Sequence, residues 1–412
     1  MHDVTALGHP DAKPYTPADN PAFIELHRRF PTIAYLRQRA RRRLPRFAFE
    51  YLDGGAGADG GIARNWRCLD AVELIPRYGI TTALPPVDIE LFGKRYAAPI
   101  GVAAMGGPSI VWPGADQYLA AAAQRARVPY TLGLAGGMTV EHAVEIAPDV
   151  LWFQLYRCSR NEHAIGYDLV RRADAAGVHV LVLTLDVPVR TTRAREVAAG
   201  ATSPFRPDLR MVCGILGCPG YLASMWKHGQ PRFGNLKPYT AATADVNEVV
   251  AFMHREMAGA FTWDEIAKYR ERWKRPLVVK GILHPADAEK CVALGVDGII
   301  VSNHGGRQVE GLPASIDALP AISRAVGTRA TVMLDSGIRS GLDVVRAVAL
   351  GADAAFAGKA FLWGLGALGG KGPAHVIDLF IDEMKSAFGQ IGARRPAEAR
   401  ATTIRHPGAL QF

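Results

Sequence analysis

The sequence predicts a closed (β/α)8 TIM barrel with an N-terminal helical extension and a long insertion after the fourth strand. Eight short apolar runs recur along the chain, and helix-like segments separate them. Runs such as 181–183 and 299–301 are apolar at every position, as expected of parallel strands buried on both faces. Successive strand ends lie about 21 to 33 residues apart, the length of one strand–helix unit, except for one gap of about 96. A doubly wound sheet is the main alternative.

The eight predicted strands are rich in β-branched and other apolar residues. In chain order they are 99–103, 128–132, 151–156, 179–185, 276–280, 298–302, 330–335 and 354–358. The predicted helices are rich in alanine or carry apolar residues on one face, and they include 116–125, 161–175, 285–293 and 340–349. The pattern divides the chain into an extension at 1–90, a barrel at 91–375 with an insertion at 190–262, and a C-terminal helix and tail at 376–412.

The composition is that of a globular protein with a large core. Hydrophobic residues make up 49% and charged residues 21% of the 412 positions, which excludes a mainly disordered chain. The formal net charge of +9 favours anionic partners: a phosphate-bearing cofactor, a carboxylate substrate, a membrane surface or nucleic acid. The five cysteines are scattered and odd in number, which argues against a disulfide framework and favours a reducing compartment.

Neither a signal peptide nor a membrane-spanning helix is expected. The N-terminal residues are polar and contain prolines. The nearest candidate for a span, 211–226, has 16 residues, fewer than the roughly 20 that a spanning helix needs. Glycine and proline within it predict that it is not one continuous helix. We expect a cytoplasmic protein, and this segment either contacts a membrane surface or only covers the active site.

Two motifs receive structural interpretations. The stretch 37–46 holds six arginines in ten positions and is interpreted as a solvated helix face, because neither aromatic stacking partners nor a nucleic-acid-binding fold accompany it. Residues 55–60 match G-x-G-x-x-G, the dinucleotide fingerprint, which needs a buried strand before it and a helix after it. We expect neither a strand nor a strong amphipathic helix there. Metal-binding spacings of histidine and cysteine are also missing from the sequence, so no metal is expected.

Polar residues are concentrated where the predicted strands end, which is where barrel enzymes hold their chemistry. His304 follows the sixth strand, and Arg307 offers a planar donor pair for a carboxylate. Asp186, after the fourth strand, can orient His304 and stabilise its protonated form, whereas the alternative is a histidine that is merely hydrogen-bonded. Lys280 can stabilise negative charge on a cofactor ring. The residues that fit the common barrel phosphate site are Gly337, Arg339, Gly358 and Lys359.

These residues resemble the FMN-dependent 2-hydroxy acid dehydrogenases and oxidases. The most specific match is Ser-Asn-His-Gly-Gly-Arg-Gln at 302–308. The resemblance covers residues 30–390 and includes further matches at 51–56, 153–156, 278–281 and 334–337. Within the family, the chain is most similar to the membrane-associated (S)-mandelate dehydrogenases, on residues 112–113, 227–231 and 257–263.

The resemblance implies FMN as the cofactor and a role for each matched residue. His304 takes the proton as the substrate Cα–H bond breaks, by a hydride or a carbanion route, and Asp186 pairs with it. Arg307 and Arg193 hold the substrate carboxylate. The tyrosines that hydrogen-bond the substrate and complete the catalytic set are Tyr51 and Tyr156. The residues implied to bind the flavin are Ala103, Ala104, Met105, Gly133, Gln154, Thr184, Lys280 and Ser302, with Asp335, Gly337, Arg339, Gly358 and Lys359 around the ribityl chain and phosphate.

Four positions depart from the usual pattern of the family or vary within it. Ala104 stands where proline is usual, and Gly133 replaces a serine or threonine that contacts the flavin. Lys359 stands where arginine is usual, so the charge toward the phosphate is kept and the planar fork is lost. Gly106 matches the mandelate dehydrogenases, whereas oxidases tend to have alanine, and this favours a dehydrogenase that reacts poorly with oxygen.

The expected function is oxidation of an (S)-2-hydroxy acid, mandelate- or lactate-like, to the 2-oxo acid, with electrons passed to a quinone or another membrane acceptor. The alternative is an oxygen-using oxidase that produces hydrogen peroxide. The joint presence of His304, Arg307, Arg193 and Tyr51 disfavours a non-catalytic or biosynthetic FMN barrel. A homotetramer is implied, and nucleic acid is not expected as a partner. Basic residues beside the apolar run predict peripheral contact of 205–232 with the inner face of the cell membrane.

Overall fold

A computed structural model of the chain describes residues 17, 20–80, 83–189, 191–202 and 204–412. The polar N-terminal segment and parts of the predicted extension therefore lie outside the described residues. Seven elements precede the barrel: α1 (Pro21–Arg29), α2 (Ile33–Arg43), α3 (Arg46–Asp53), α4 (Gly60–Asp70), β1 (Glu73–Ile75), β2 (Ile89–Leu91) and β3 (Lys94–Tyr96). Strands β2 and β3 pair as an antiparallel hairpin.

Eight parallel strands form the barrel. They are β4 (Ile100–Val102), β5 (Tyr130–Gly133), β6 (Leu151–Leu155), β7 (Val180–Thr184), β8 (Leu277–Ile282), β9 (Gly298–Val301), β10 (Thr331–Leu334) and β11 (Ala354–Ala357). Each strand pairs with the next, and β11 pairs with β4, which closes the sheet. The predicted barrel is confirmed, and the doubly wound alternative is wrong because such a sheet remains open. Each of the eight predicted strands corresponds to one strand of the barrel.

Helices surround the barrel. In chain order they are α5 (Pro108–Val111), α6 (Ala115–Ala126), α7 (Val140–Ile146), α8 (Arg160–Ala175), α9 (Ala194–Ala198), α10 (Leu209–Leu216), α11 (Pro219–His228), α12 (Val246–Glu256), α13 (Trp263–Arg272), α14 (Pro285–Ala293), α15 (Ser315–Val326), α16 (Gly341–Ala349), α17 (Lys359–Leu368) and α18 (Gly372–Gln390). In α8, residues 161–163 have positive φ, so its regular part begins after them. A last strand, β12 (Thr403–Arg405), pairs with β1.

The interior of the barrel is closely packed below the site. Every residue of β4, β5, β6, β7, β9 and β11 is buried. The rings of Trp152 and Phe356 lie with centroids 5.2 Å apart, and a Cβ on Gly101 would come within 2.4 Å of the Phe356 ring. Burying a large apolar side chain contributes about 1.5–3 kcal/mol. The strands therefore provide a rigid support for the side chains at their ends.

The insertion after β7 consists of α9 to α12 and a 3-10 segment at Gly234–Tyr239. The uncharged run 211–226 is divided between α10 and α11, which are separated at Gly217 and Cys218. Pro219 begins α11, because its fixed φ suits the first turn of a helix. The expectation that this run is not one continuous helix is confirmed. Among the described residues, every helix falls short of the length and apolar content needed to cross a bilayer.

The arginine-rich stretch 37–46 is solvated only in part. Arg37 donates two hydrogen bonds to the carboxylate of Asp53, at 2.7 and 2.8 Å, and Arg43 donates one to the Ala367 carbonyl at 2.5 Å. The interpretation as a solvated face is therefore wrong for these two arginines. Their partners lie outside α2, so the local pattern gave no indication of them.

The glycine motif at 55–60 follows α3, a helix, so the expectation that no strand precedes it is confirmed. The expectation that no amphipathic helix follows is wrong, because α4 begins at the last glycine of the motif and buries Ile62 and Leu69. The amide of Ala56 donates to the Gly306 carbonyl at 3.0 Å. The motif thus packs against the loop that follows β9.

Candidate active site

The loop after β9 holds His304 in a left-handed backbone conformation, with φ 58°. Its amide donates to Ser302 Oγ at 3.0 Å, and the Gly305 amide donates to Ser336 Oγ at 2.9 Å. Gly305 and Gly306 also have positive φ, a region that favours glycine. A Cβ on Gly306 would come within 2.7 Å of the α4 backbone. The two glycines therefore let the loop fold closely against α4 with the His304 side chain at the barrel mouth.

His304 belongs to a chain of charged contacts across the strand ends. Its Nδ1 lies 2.9 Å from Oδ1 of Asp186, whose Oδ2 lies 3.6 Å from Nζ of Lys280, and Nζ lies 3.0 Å from Oδ2 of Asp335. Burial alone would raise the pKa of Asp186, but the charges of His304 and Lys280 outweigh it and lower the pKa to about 2. Asp186 is therefore ionised at neutral pH, and it can stabilise an imidazolium on His304.

Lys280 keeps its charge for a related reason. Burial alone would lower the pKa of this ammonium group, but Asp186 and Asp335 outweigh burial and raise the pKa above its ordinary value. Its Nζ also donates to Ser302 Oγ at 2.5 Å. The strand ends thus hold a fixed positive charge among two carboxylates and a histidine.

Two phenols lie near this charged chain. The Tyr156 hydroxyl lies 3.5 Å from Nε2 of His304, and burial raises the pKa of Tyr156 to about 12. The Tyr51 hydroxyl donates to the Gly106 carbonyl at 2.6 Å, and burial raises the pKa of Tyr51 as well. Both phenols are therefore protonated at neutral pH, and each can donate one hydrogen bond, which Tyr51 gives to Gly106 and would have to redirect to reach a bound ligand.

Arg307 and Arg193 are brought together by an acidic residue from α9. Oε1 of Glu196 accepts from Nη2 of Arg307 at 2.8 Å and from Nη1 of Arg193 at 3.2 Å. Nε of Arg193 donates to the Arg307 carbonyl at 3.2 Å. The insertion thus supplies one of the two arginines and a carboxylate that bridges both.

The C-terminal end of α3 is held by two basic side chains. The last carbonyls of a helix lack partners within it. Here Nη1 of Arg307 donates to the carbonyls of Tyr51 and Gly54 at 2.9 and 2.8 Å, and Nζ of Lys359 donates to the carbonyls of residues 52–54 at 2.7 to 2.9 Å. Burial lowers the pKa of Lys359 well below its usual range. The arrangement fixes the helix that carries Tyr51. The predicted contact of Lys359 with the phosphate of FMN stays a prediction.

The other end of the site contains Arg339 and two tryptophans. Nη2 of Arg339 lies 2.6 Å from the carboxylate of Asp70, and its guanidinium lies 5.2 Å from the ring centroid of Trp66. The Trp66 and Trp363 rings meet edge to face at 6.5 Å. The indole N–H of Trp363 is buried and has no hydrogen-bond partner among the described residues.

A buried polar pair lies behind the loop that follows β4. Nε2 of Gln154 donates to Oγ1 of Thr184 at 2.9 Å, and Oε1 of Gln154 accepts from the Leu134 amide at 3.3 Å. A Cβ on Gly133 would come within 2.7 Å of the Met105 carbonyl oxygen. The departure at Gly133 therefore has a structural reason, since a serine or threonine would force this loop to move.

A cavity of about 210 Å³ lies at the barrel mouth and is lined by most of the residues described above. Predicted residues that line it are Tyr51, Ala103, Ala104, Met105, Tyr156, Arg193, Lys280, His304, Arg307, Asp335, Gly337, Arg339, Gly358 and Lys359. Predicted residues outside its lining are Gly133, Gln154, Thr184, Asp186 and Ser302. Within the described ranges, no group of three or more acidic, histidine or cysteine side chains is placed to hold a metal ion.

Sequence reasoning missed four contributors: Glu196, Asn65, Trp66 and Trp363. Asn65 of α4 exchanges two hydrogen bonds with Asn303, at 2.9 and 2.7 Å, and so anchors the His304 loop. Hydrophobic periodicity in 60–70 could have revealed α4 as a packed helix. Nothing in the local sequence indicated the unpartnered indole of Trp363.

The FMN-dependent dehydrogenase family matches residues 40–406. The chain belongs to this family. Its cofactor is FMN, and the donors in the cavity fit this group: the cations Lys280 and Arg339, the close backbone approach at Gly337 and Gly358, and the unpartnered Trp363 indole.

Individual relatives agree with the family. The L-lactate dehydrogenase of Caulobacter vibrioides is 37% identical over 369 residues, which are 89% of this chain and 96% of that protein. The crystal structure of the monotopic membrane protein (S)-mandelate dehydrogenase is 32% identical, with a TM-score of 0.84 over 89% of this chain and 97% of that chain. Mandelate oxidase with (S)-4-hydroxymandelic acid is 33% identical, with a TM-score of 0.79 over 92% of this chain and 100% of that chain.

Proposed function

We propose that this FMN-dependent enzyme oxidises an (S)-2-hydroxy acid, mandelate- or lactate-like, to the 2-oxo acid. The observation that carries the proposal is that a histidine with an ionised partner and a pair of arginines line one cavity. A base and a carboxylate-binding pair are what a 2-hydroxy acid requires. The names of the relatives, L-lactate dehydrogenase and (S)-mandelate dehydrogenase, support this substrate class.

The chain's own residues provide binding and proton transfer. Arg307 and Arg193 bind the substrate carboxylate, and Tyr51 and Tyr156 donate hydrogen bonds to the substrate. Nε2 of His304 accepts a proton from the substrate while Asp186, 2.9 Å from Nδ1, stabilises the imidazolium that forms. FMN supplies the acceptor for the two electrons that leave the substrate. Lys280 keeps a positive charge at the strand ends, where it offsets negative charge that develops in the site.

The cofactor is proposed to bind with its phosphate toward Arg339 and the glycines that precede α16 and α17. Gly337 has φ 90° and Gly358 immediately precedes α17, so both allow a close approach to the backbone. We propose that the flavin-binding residues predicted from the resemblance hold FMN. Three of them, Gln154, Thr184 and Ser302, act from behind the cavity surface. Trp363 adds an indole donor that the sequence did not suggest.

A panel of substrates under anaerobic conditions tests the proposal. Bleaching of the yellow enzyme by (S)-mandelate, L-lactate or a longer (S)-2-hydroxy acid is expected, because each two-electron transfer reduces the bound cofactor. His304→Gln should retain FMN and lose most of this bleaching, whereas His142→Gln, at an exposed position on α7, should bleach as the wild type does. Wild-type protein that no 2-hydroxy acid bleaches would contradict the proposal.

The electron acceptor is proposed to be a quinone or another membrane carrier. Reoxidation of the reduced enzyme by a soluble quinone should then be much faster than reoxidation in air. Rapid reoxidation in air with formation of hydrogen peroxide would instead support the oxidase alternative. Because the chain is also similar to a mandelate oxidase, the rates of reoxidation by quinone and by air both need to be measured. The homotetramer stays a prediction, to be measured by light scattering.

We propose a peripheral location on the inner face of the cell membrane, with contact through 205–232. Leu209, Leu216 and Trp226 are 79%, 63% and 93% exposed, an unusual exposure for large apolar side chains. Arg206 and Arg210 are exposed beside them. Apolar side chains next to basic ones suit an anionic bilayer. One relative, the (S)-mandelate dehydrogenase, is a monotopic membrane protein, which supports the same interpretation.

Helix α2 lies beside α11 and carries the exposed Arg39, Arg41 and Arg42. A Cβ on Gly220 would come within 2.6 Å of Nη2 of Arg43, so α2 and α11 are in contact. Sedimentation with vesicles of phosphatidylcholine, with and without phosphatidylglycerol, tests the proposal. Trp226→Ser combined with Leu216→Ser should release the protein from anionic vesicles, while Tyr78→Ser, an exposed ring outside the insertion, should not. Wild-type protein that stays in the supernatant at low salt would contradict membrane contact.

A further inference from the structure

Glu196 is a buried carboxylate behind the two arginines of the proposed carboxylate site. It is 8% exposed, and its Oε1 accepts hydrogen bonds from both Arg307 and Arg193. Burial of the Arg307 guanidinium and the nearby charge of Arg193 lower the pKa of Arg307, while Glu196 opposes this effect. The carboxylate therefore stabilises two like charges that would otherwise repel each other.

The residues around the proposed substrate position present a small net positive charge. The arginine pair contributes two positive charges and Glu196 one negative charge, which leaves one positive charge for an incoming ligand. The neighbouring strand-end groups add no net positive charge, since the single ammonium group of Lys280 lies 3.6 Å from one carboxylate, Asp186, and 3.0 Å from a second, Asp335. The next basic side chain, Lys359, is held by backbone carbonyls at the end of α3. The site is thus matched in charge to a single carboxylate.

We propose that Glu196 makes the site selective for monoanionic 2-hydroxy acids over 2-hydroxy dicarboxylates. This inference rests on the proposed function, because it places the substrate carboxylate at Arg307 and Arg193. A second carboxylate on the substrate would add a negative charge beside an arginine pair of which Glu196 already offsets one positive charge. The residue thus determines which hydroxy acids the enzyme accepts, and it acts through charge, without touching the reacting atoms.

The test compares L-lactate, a monoanion, with L-malate, a dianion that carries the same 2-hydroxy acid group. Wild-type enzyme should have a much lower kcat/KM for L-malate. In Glu196→Gln, the ratio of kcat/KM for L-malate to that for L-lactate should rise by about tenfold or more, because a unit charge at roughly 7 Å and an effective dielectric constant near 20 has an effect of that order. Glu196→Asp keeps the charge and should keep the wild-type ratio.

A second readout does not depend on turnover. Oxalate is a dianion at neutral pH, and its dissociation constant can be measured from the change it causes in the flavin absorbance. Glu196→Gln should bind oxalate more tightly relative to acetate. Glu90→Gln, which removes an exposed negative charge from β2, serves as the matched control for net charge and should change neither ratio.

The outcomes separate the inference from the proposed function. A merely structural role for Glu196 would lower activity with both substrates and leave the ratio unchanged, which would overturn the inference. Wild-type enzyme that oxidises L-malate as well as L-lactate would overturn it too. If no 2-hydroxy acid bleached the wild type, the proposed function itself would fail, while the oxalate measurement would still show whether Glu196 controls the charge preference of the cavity.

Discussion

Replacing Asp186 with asparagine tests the central claim about the catalytic base. The substitution keeps the size of the side chain and removes the charge that lies 2.9 Å from Nδ1 of His304. The surroundings lower the pKa of Asp186 to about 2 from an ordinary 3.8, which corresponds to a favourable interaction of its charge on the order of 2 kcal/mol. His304 and Lys280 are the sources of that interaction.

The imidazolium formed on His304 as it accepts the substrate proton loses this stabilisation in Asp186→Asn. We therefore expect the rate of anaerobic flavin bleaching at saturating substrate to fall by about tenfold or more, because His304 provides part of the interaction and Lys280 the rest. Stopped-flow absorbance measures the rate directly. FMN content should stay near that of the wild type, because Asp186 lies outside the cavity lining.

Asp88→Asn provides the control for loss of a carboxylate. Asp88 forms an exposed ion pair with Arg95 at 2.9 Å, next to the β2–β3 hairpin, and its replacement should leave the bleaching rate unchanged. If Asp186→Asn bleached at the wild-type rate, the stabilisation of His304 by Asp186 would be excluded as a contribution to catalysis.

Three further predictions concern binding and stability. Arg307→Met should weaken substrate binding by a few kcal/mol, about 1.5–3 for a lost charged hydrogen bond, measured as a raised KM; an unaltered KM would place the carboxylate elsewhere. Trp363→Phe should weaken FMN binding by about fivefold to tenfold through loss of one neutral hydrogen bond, measured by fluorescence titration of apoprotein, and an equal affinity would leave the indole without a ligand. Hydrogen bonds from Arg157 lower the pKa of Glu265 to about 2 from 4.5, so its stabilising contribution is present above about pH 4.5 and is lost as the pH falls toward 2. Urea unfolding at pH 7 and pH 3 should show a smaller acid loss in Glu265→Gln than in the wild type, and equal losses would contradict this.

The barrel could be predicted from sequence because its strands are buried on both faces. Runs such as 181–183 are apolar at every position, and regular spacing then distinguished a closed barrel from other parallel sheets. The strand ends were equally informative, since His304, Asp186 and Lys280 each follow a buried run directly. Their convergence follows from the topology alone, because parallel strands in a barrel all end at the same rim.

Contacts between distant segments could not be predicted. Glu196 lies in a short helix of the insertion, and only the folded chain brings it to Arg307, which is 111 residues away in sequence. The hydrogen bonds of Lys359 depend on where α3 ends relative to α17, and no local pattern encodes that distance. The buried Trp363 indole is also invisible in sequence, because an unpartnered donor is defined by what surrounds it.

The carbonyl oxygen of Gly54, at the end of α3, accepts hydrogen bonds from two residues that face different parts of the cavity. It accepts from Arg307 at 2.8 Å and from Lys359 at 2.8 Å, so one atom is shared by a residue proposed to bind the substrate and a residue proposed to bind the cofactor. Any ligand that draws one of these cations away leaves the oxygen entirely to the other. We therefore expect ligand binding at the two ends of the cavity to be coupled, and whatever one ligand does to the affinity of the other, the second must do in equal measure to the first.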